Sequence, residues 1–398
     1  MIRHAALLVL LAAPATATDL GFYQWVSPPR EDRRDLLTAA RERAAEAGAT
    51  AFRFYLGARF DYLRPYLSPD REAATPAEML RIDRYRETLD DQRFSTVILT
   101  AYSAIDYGGG LDDINLLRPF GNEERQAVTR QMTELARSLF EQYGDQKRTF
   151  ILANNEADEK LMEIANYSRS TQFATTNLIE WINTRQAAIA AVREEFPDAR
   201  LRLLHAFELS VVNLEIGLVR GRFRKTARGA DGIRAIDDVL PHIRCDLVAY
   251  SAYESTNSPY ETQQPDDPPG DTGVRLRRDL ERISHAAQRS ISPYGRRLFG
   301  AKPVMIGELG FARETFERLP TGGVLRRLQS AINTARNWGA PWVILWQVFD
   351  APKWGSRAWG FGAVDANGQR PTLKPADDGC DSIAACVQSW TEQTTNRR

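Results

Sequence analysis

Eight short apolar runs, most of them followed by an amphipathic segment of helix length, constrain this chain more than any other feature of its sequence. The runs are Leu20–Val26, Ala51–Gly57, Phe94–Ala101, Thr149–Asn155, Leu201–Phe207, Asp246–Tyr253, Pro303–Glu308 and Trp342–Val348. Near-continuous apolar character over that length is what strands buried on both faces look like. Between most of them, apolar residues recur at three- and four-residue spacing. That predicts helices over Asp35–Ala47, Glu124–Tyr143, Thr175–Phe196, Val274–Gln288 and Val324–Trp338. Gly144 and Gly339 read as helix stops shortly before the next strand. Eight strands, most of them followed by a helix, predict an α/β fold, a (β/α)8 TIM barrel. A doubly wound open sheet competes, but no Gly-rich phosphate turn follows the first strand.

The chain's 398 residues divide into three stretches. Arg3 and His4 open a short positive region, Ala5 to Ala13 is apolar, and Ala15-Thr16-Ala17 has the small-x-small form of a cleavage site. Residues 1–17 are therefore expected to be a signal peptide of bacterial style, cleaved after Ala17, with the protein secreted or periplasmic. The apolar part is too short to span a bilayer. Residues 18–372 are expected to form one barrel domain, with 373–398 a polar tail. Cys380 and Cys386 lie six apart in that tail, and export would let them form a disulfide. Cys245 opens a predicted strand and reads as a buried, inert thiol. Lys plus Arg balance Asp plus Glu at 52 each, which gives no support to nucleic-acid binding. The basic stretch Arg222-Phe223-Arg224-Lys225 reads as a solvated loop.

Barrel enzymes take their chemistry from the C-terminal ends of strands. Those ends carry Arg53, Tyr102, Asn155, Glu156, His205, Glu208, Tyr253, Glu308 and Trp346, polar or aromatic where core strands elsewhere carry Val, Ile or Leu. Glu156 and Glu308 each end an apolar run, where a charge is costly unless paired or functional. Two carboxyls from distant strands are what cleavage of a glycosidic bond requires, one to protonate the leaving oxygen and one to attack or to activate water. Arg53 is a cation placed to keep a nucleophile ionised, and a Tyr253 hydroxyl donating to it would do the same. Asn155 could bond a sugar 2-hydroxyl, and Trp346 offers a flat apolar face to a sugar ring.

In this order the residues resemble the clan A retaining glycoside hydrolases, the barrel group that contains family 5 cellulases and mannanases. The resemblance rests on Asn155-Glu156 at the fourth strand and Glu308 at the seventh, with Arg53, Tyr253 and Trp346 on strands two, six and eight. The stretch Trp359 to Asp365 with Gly368-Gln369-Arg370-Pro371 resembles the segment after the clan's eighth strand. It implies that Glu156 is the acid/base and Glu308 the nucleophile. One departure is the lack of a histidine assignable to the third strand.

Blander readings stand beside these. Glu156 could be a charge at a helix N-terminus, Glu308 half of a barrel-end salt bridge, and Tyr253 a core aromatic in competition with Tyr250. His205 could contact substrate or be a hydrogen-bonded structural residue. His242 and His285 fall outside the predicted strands with no metal-ligand spacing, so no metal or other cofactor is expected. Glu208 is the spare carboxylate. No G-x-S-x-G is present, which disfavours a serine hydrolase. The expected function is an exported retaining glycoside hydrolase acting as a monomer on a carbohydrate substrate. Transglycosylation by the same residues and a barrel that binds glycan without cleaving it remain as alternatives.

Overall fold

The protein's structure, a computed structural model, describes residues 18–25, 35–57, 75–102, 116, 119–158, 161, 171–212, 216–219, 222–225, 234–257, 269–311, 323–349, 351–354, 357–359, 386, 388 and 389. Eight parallel strands close into a barrel: β1 (Asp19–Gln24), β2 (Ala51–Gly57), β3 (Thr96–Tyr102), β4 (Thr149–Ala153), β5 (Arg202–Leu209), β6 (Leu247–Ser251), β7 (Val304–Leu309) and β8 (Trp342–Trp346). Each strand pairs with its sequence neighbours, and β1 closes on β8 from Asp19↔Trp342 to Tyr23↔Trp346. All eight apolar runs are strands, in the expected order. Helices surround them at Leu36–Glu46, Asn122–Tyr143, Thr171–Glu195, Pro269–Ala287 and Gly323–Trp338. The first is capped as its sequence suggests, with Asp35 accepting the Thr38 amide at 2.8 Å.

Differences from expectation are local. The helix at Asp83–Asp90 and the hairpin pairing Ile216–Val219 with Arg222–Lys225 were not expected. The basic stretch is thus a strand of that hairpin. Gly339 ends its helix with φ +99°, a conformation that favours glycine, whereas Gly144 keeps right-handed helical angles. The predicted cleavage site and Cys380 lie outside the described residues. Cys245 is buried beside β6, and burial pushes its thiol up out of the reactive range.

Alternation sorts each strand's side chains between the barrel interior and the helix layer. Tyr23, Ala51, Ile98, Ile151, Ala153, Leu204, Ala206, Leu247, Ala249, Met305, Trp342 and Ile344 form the inner cluster. These fill the barrel as a packed core, not a pore. The Trp342 indole donates to Thr96 Oγ1 at 3.0 Å, which satisfies its polar atom inside the barrel.

The same alternation moves His205 away from the role expected of it. With Leu204 and Ala206 facing inward, His205 faces the helix layer, where it is fully buried. Its Nδ1 meets Gln186 Oε1 at 3.1 Å, and Arg185 Nε donates to its Nε2 at 3.4 Å. That network needs a neutral ring with the proton on Nδ1. Asp246 ties the layer together, accepting from the His205 amide at 2.9 Å, Gln186 at 3.1 Å and Arg193 at 2.9 Å. Burial, then Arg185 and Arg193, hold the His205 pKa well below its ordinary value.

A linkage follows. Below the unfolded pKa of about 6.5 the unfolded chain takes up a proton that native His205 refuses. The contribution of this group is therefore complete above that pH and is lost as pH falls toward the native value. The loss approaches about 1.4 kcal/mol per pH unit. His205→Gln keeps a hydrogen-bonding amide but does not titrate. In urea unfolding at pH 7 and pH 5, the variant should lose less stability than wild type over that interval. Equal losses would contradict the neutral, buried assignment.

Candidate active site

The barrel's C-terminal end carries a buried ion pair. Arg53, inward-facing on β2, and Glu208, inward-facing on β5, are both fully buried. Arg53 Nη1 lies 2.5 Å from Glu208 Oε1, and Nη2 donates to Oε2 at 2.7 Å, a two-pronged arrangement. Two further donors are used as well: Nε bonds Thr100 Oγ1 at 3.0 Å and Nη1 bonds the Gly307 carbonyl at 3.1 Å. Beneath the guanidinium lies the Tyr23 ring, 4.3 Å from Cζ to centroid. Burial alone would lower the Arg53 pKa, but the charge of Glu208 and its hydrogen bonds, with Tyr23 and Glu308, raise it, so the cation is permanent.

Glu308 joins this pair through a β-bulge. Strand β6 pairs Tyr250 with Ile306 and Ser251 with Glu308, which skips Gly307. Strand β8 pairs Val343 with Ile306 and Leu345 with Leu309, so both neighbours see one extra residue in β7. Met305 faces inward, and strict alternation would turn Glu308 outward. The bulge reverses that phase and aims Glu308 into the barrel mouth. Gly307 is required at this point, because a Cβ there would lie 2.6 Å from Glu208 Oε1 and 3.1 Å from the Ala249 Cβ. Glu308 is 5% exposed. Its Oε1 lies 3.5 Å from Arg53 Nη1, and Tyr253 donates its hydroxyl to Oε2 at 3.0 Å.

The exit of β5 also holds the segment that carries Glu156. The β4–β5 ladder ends at Ala153↔Ala206, and the Asn154 side chain continues it. The Glu208 amide donates to Asn154 Oδ1 at 3.0 Å, and Asn154 Nδ2 donates to the Glu208 carbonyl at 3.2 Å. Four residues on, Asp158 accepts from the Ser210 and Val211 amides at 2.8 and 2.6 Å. Between these two ties, the Glu156 amide donates to Glu208 Oε2 at 3.3 Å. Across the site, Glu254 accepts the Val212 amide at 2.6 Å, which locks the residue after Tyr253 to the same strand exit.

Of the residues expected here, Arg53, Tyr253 and Glu308 are in direct contact, and Glu156 joins them through its backbone. Trp346 is half-buried at the end of β8, its ring edge-on to Tyr253 with centroids 6.2 Å apart; its peptide to Gln347 is cis. Asn155 is half-buried and held by its backbone, its amide donating to the Tyr102 hydroxyl at 2.6 Å. The partner of Arg53 differs from expectation. Both arms of its fork go to Glu208, and its Nη1 also lies 3.5 Å from Glu308 Oε1. The spare carboxylate is therefore the centre of the cluster. Asn154, Thr100, Tyr23 and Ser251, whose Oγ donates to Glu208 Oε1 at 3.2 Å, were missed. Gly307 left a readable trace, since a glycine inside an apolar strand run marks a bulge or a close approach.

No protein-family model matches the chain, and no curated protein matches it. Among solved structures it is similar to an exo-β-1,4-mannosidase from Opitutaceae bacterium strain TAV5, with TM-score 0.56, 15% identity, and coverage of 97% of this chain and 62% of that one. It is similar to a Bacteroidetes-affiliated GH5 cellulase linked with a polysaccharide utilization locus, with TM-score 0.52, 14% identity, and coverage of 96% and 95%. A hyperthermophilic β-glucosidase from Pyrococcus furiosus aligns with TM-score 0.51, 12% identity, and 95% of both chains. The chain thus spans under two thirds of the mannosidase's length. At these identities the likeness is one of fold. The chain is a (β/α)8 barrel of the architecture these glycoside hydrolases share.

The Tyr253 hydrogen bond gives a direct test of the geometry around Glu308. Hydrogen bonds to charged groups contribute about 1.5–3 kcal/mol. Tyr253→Phe should therefore lower kcat/KM roughly 10- to 100-fold with the fold intact, measured on any substrate the wild type turns over. An unchanged kcat/KM would remove Tyr253 from the site.

Proposed function

We propose that this protein is an exported retaining glycoside hydrolase in which Glu308 is the nucleophile and Glu156 the acid/base. The observation that carries the reading is Glu308 itself. It is a nearly buried carboxylate aimed by a bulge into the mouth of a barrel, with Tyr253 donating to one oxygen and Arg53 beside the other. Donors on both sides stabilise the ionised form that attack requires. The barrel's likeness to a mannosidase, a cellulase and a β-glucosidase supports the same reading, and the leader-like residues 1–17 support export.

In the proposed reaction a Glu308 oxygen bonds to the anomeric carbon as the glycosidic C–O bond breaks. Glu156 gives its proton to the departing oxygen. Water then attacks the glycosyl ester, Glu156 takes the water's proton, and Glu308 leaves as carboxylate with the starting configuration restored. Rigid anchoring of residues 154–158 to the β5 exit keeps Glu156 in place for both steps. In this reading Trp346 stacks its flat face on the sugar ring.

The test is hydrolysis of a panel of polysaccharides and 4-nitrophenyl glycosides by the exported chain, whose intact mass should begin at Thr18. Glu156→Gln and Glu308→Gln are assayed beside wild type, with thermal melts to confirm folding. Glu156→Gln should lower kcat about 10²- to 10⁴-fold on substrates that need leaving-group protonation, and Glu308→Gln should abolish turnover. Full activity in either folded variant would overturn the assignment. Glycan binding without turnover, unchanged in both, would make the protein a binding barrel.

A further inference from the structure

The two-glutamate reading leaves a third buried carboxylate unexplained. Glu208 lies at the barrel mouth and is fully buried. It contacts the parts that hold both proposed catalytic groups. Its two oxygens take both arms of Arg53, the same guanidinium that lies 3.5 Å from Glu308. Its Oε2 accepts the backbone amide of Glu156. Its own backbone is fixed by Asn154, and Gly307 of the bulge leaves room for its Oε1.

Charge arithmetic gives this arrangement a purpose. Arg53, Glu208 and Glu308 together carry one net negative charge before attack. When Glu308 becomes an ester the trio is neutral. Without Glu208 the sums would be zero and plus one, leaving a buried cation beside an oxocarbenium-like centre. Deepening the glycoside hydrolase reading and resting on it, we propose that Glu208 is a positioning residue. It offsets the charge of Arg53, so that Glu308 keeps its Tyr253 and Arg53 contacts while the trio still presents one net negative charge to the reacting carbon, and it registers Glu156 through that residue's backbone amide.

Among the described residues, the charged and titratable groups that meet Glu308 include Tyr23 from β1, Arg53 from β2, Glu208 from β5 and Tyr253 after β6. Arg53 is the cation among them, so altering its partner should be read in the acid limb of kcat/KM against pH. Glu208→Gln keeps shape and removes charge, so Arg53 acts undivided on Glu308. The acid limb should move down by about one pH unit, and kcat should fall about 100-fold. Arg53→Met combined with Glu208→Gln restores the trio's net charge of minus one, and its limb should return to the wild-type position. Glu208→Asp keeps the charge and should keep the limb. All are measured on the 4-nitrophenyl glycoside that wild type cleaves fastest.

An unmoved limb in Glu208→Gln, or a limb displaced equally in Glu208→Asp, would overturn the proposal and leave Glu208 a structural residue. Should Glu208→Gln fail to fold, Arg53→Met is compared with the double variant: the Glu208 charge should hold the single variant's limb higher, and equal limbs would overturn the proposal. Glu308→Gln and Glu156→Gln are run in parallel. Retained activity in them refutes the two-carboxylate reading, and this inference falls with it. Lost activity in them with an unmoved Glu208→Gln limb refutes this inference alone.

Discussion

The site depends on one buried ion pair. Arg53 and Glu208 are stripped of water at the end of the barrel, and removing an ion from water costs several kcal/mol. Such a pair survives only where the geometry is close to ideal and the remaining donors and acceptors are used. Here Arg53 reaches Thr100, the Gly307 carbonyl and both oxygens of Glu208, while Ser251 and the Glu156 amide complete the carboxylate's set. Removing one partner would strand the other charge, a loss of about 3–5 kcal/mol. The pair thus fixes the relative positions of β2, β5, β6 and β7, and every other feature of the mouth is built on it.

Two backbone devices translate that rigidity into an arrangement of side chains. The bulge at Gly307 reverses the phase of β7 and turns Glu308 toward Arg53 and away from the helix layer. Asn154 and Asp158 bracket Glu156 with bonds to the exit of β5, and Glu254 does the same beside Tyr253. The mouth is therefore held from its centre outward, while Leu204, Ala206, Ala249 and Met305 supply the apolar floor. A floor of packed aliphatics beneath a charged layer keeps water out from below, and electrostatic effects at Glu308 are stronger for it.

The sequence made the architecture legible because buried parallel strands write themselves as unbroken apolar runs, and all eight were recoverable. Arg53, Tyr253 and Glu308 were legible for a related reason, since polar residues at strand exits are conspicuous. What stayed hidden depended on phase. His205 and Glu208 sit three residues apart on one strand, and only the register of β5 tells which faces the barrel; the expectation put His205 in the site and held Glu208 in reserve, and the structure reverses them. Sequence spacing also could not show that Arg53 is divided between two carboxylates, because that follows from a one-residue bulge on another strand. The Asn154 side chain acting as an extension of the β4–β5 ladder is likewise a tertiary event, with no local signature to read.

The central claim is that this cluster makes Glu308 the residue that bonds to sugar. Covalent trapping tests it most directly. The protein is incubated with a 2,4-dinitrophenyl 2-deoxy-2-fluoroglycoside of whichever sugar it cleaves, and the labelled peptide is mapped by mass spectrometry. The expected result is a single adduct on Glu308 that forms with release of dinitrophenolate and disappears on transfer to an acceptor. An adduct on Glu156 or Glu208, or steady hydrolysis with inverted configuration and no adduct, would contradict it.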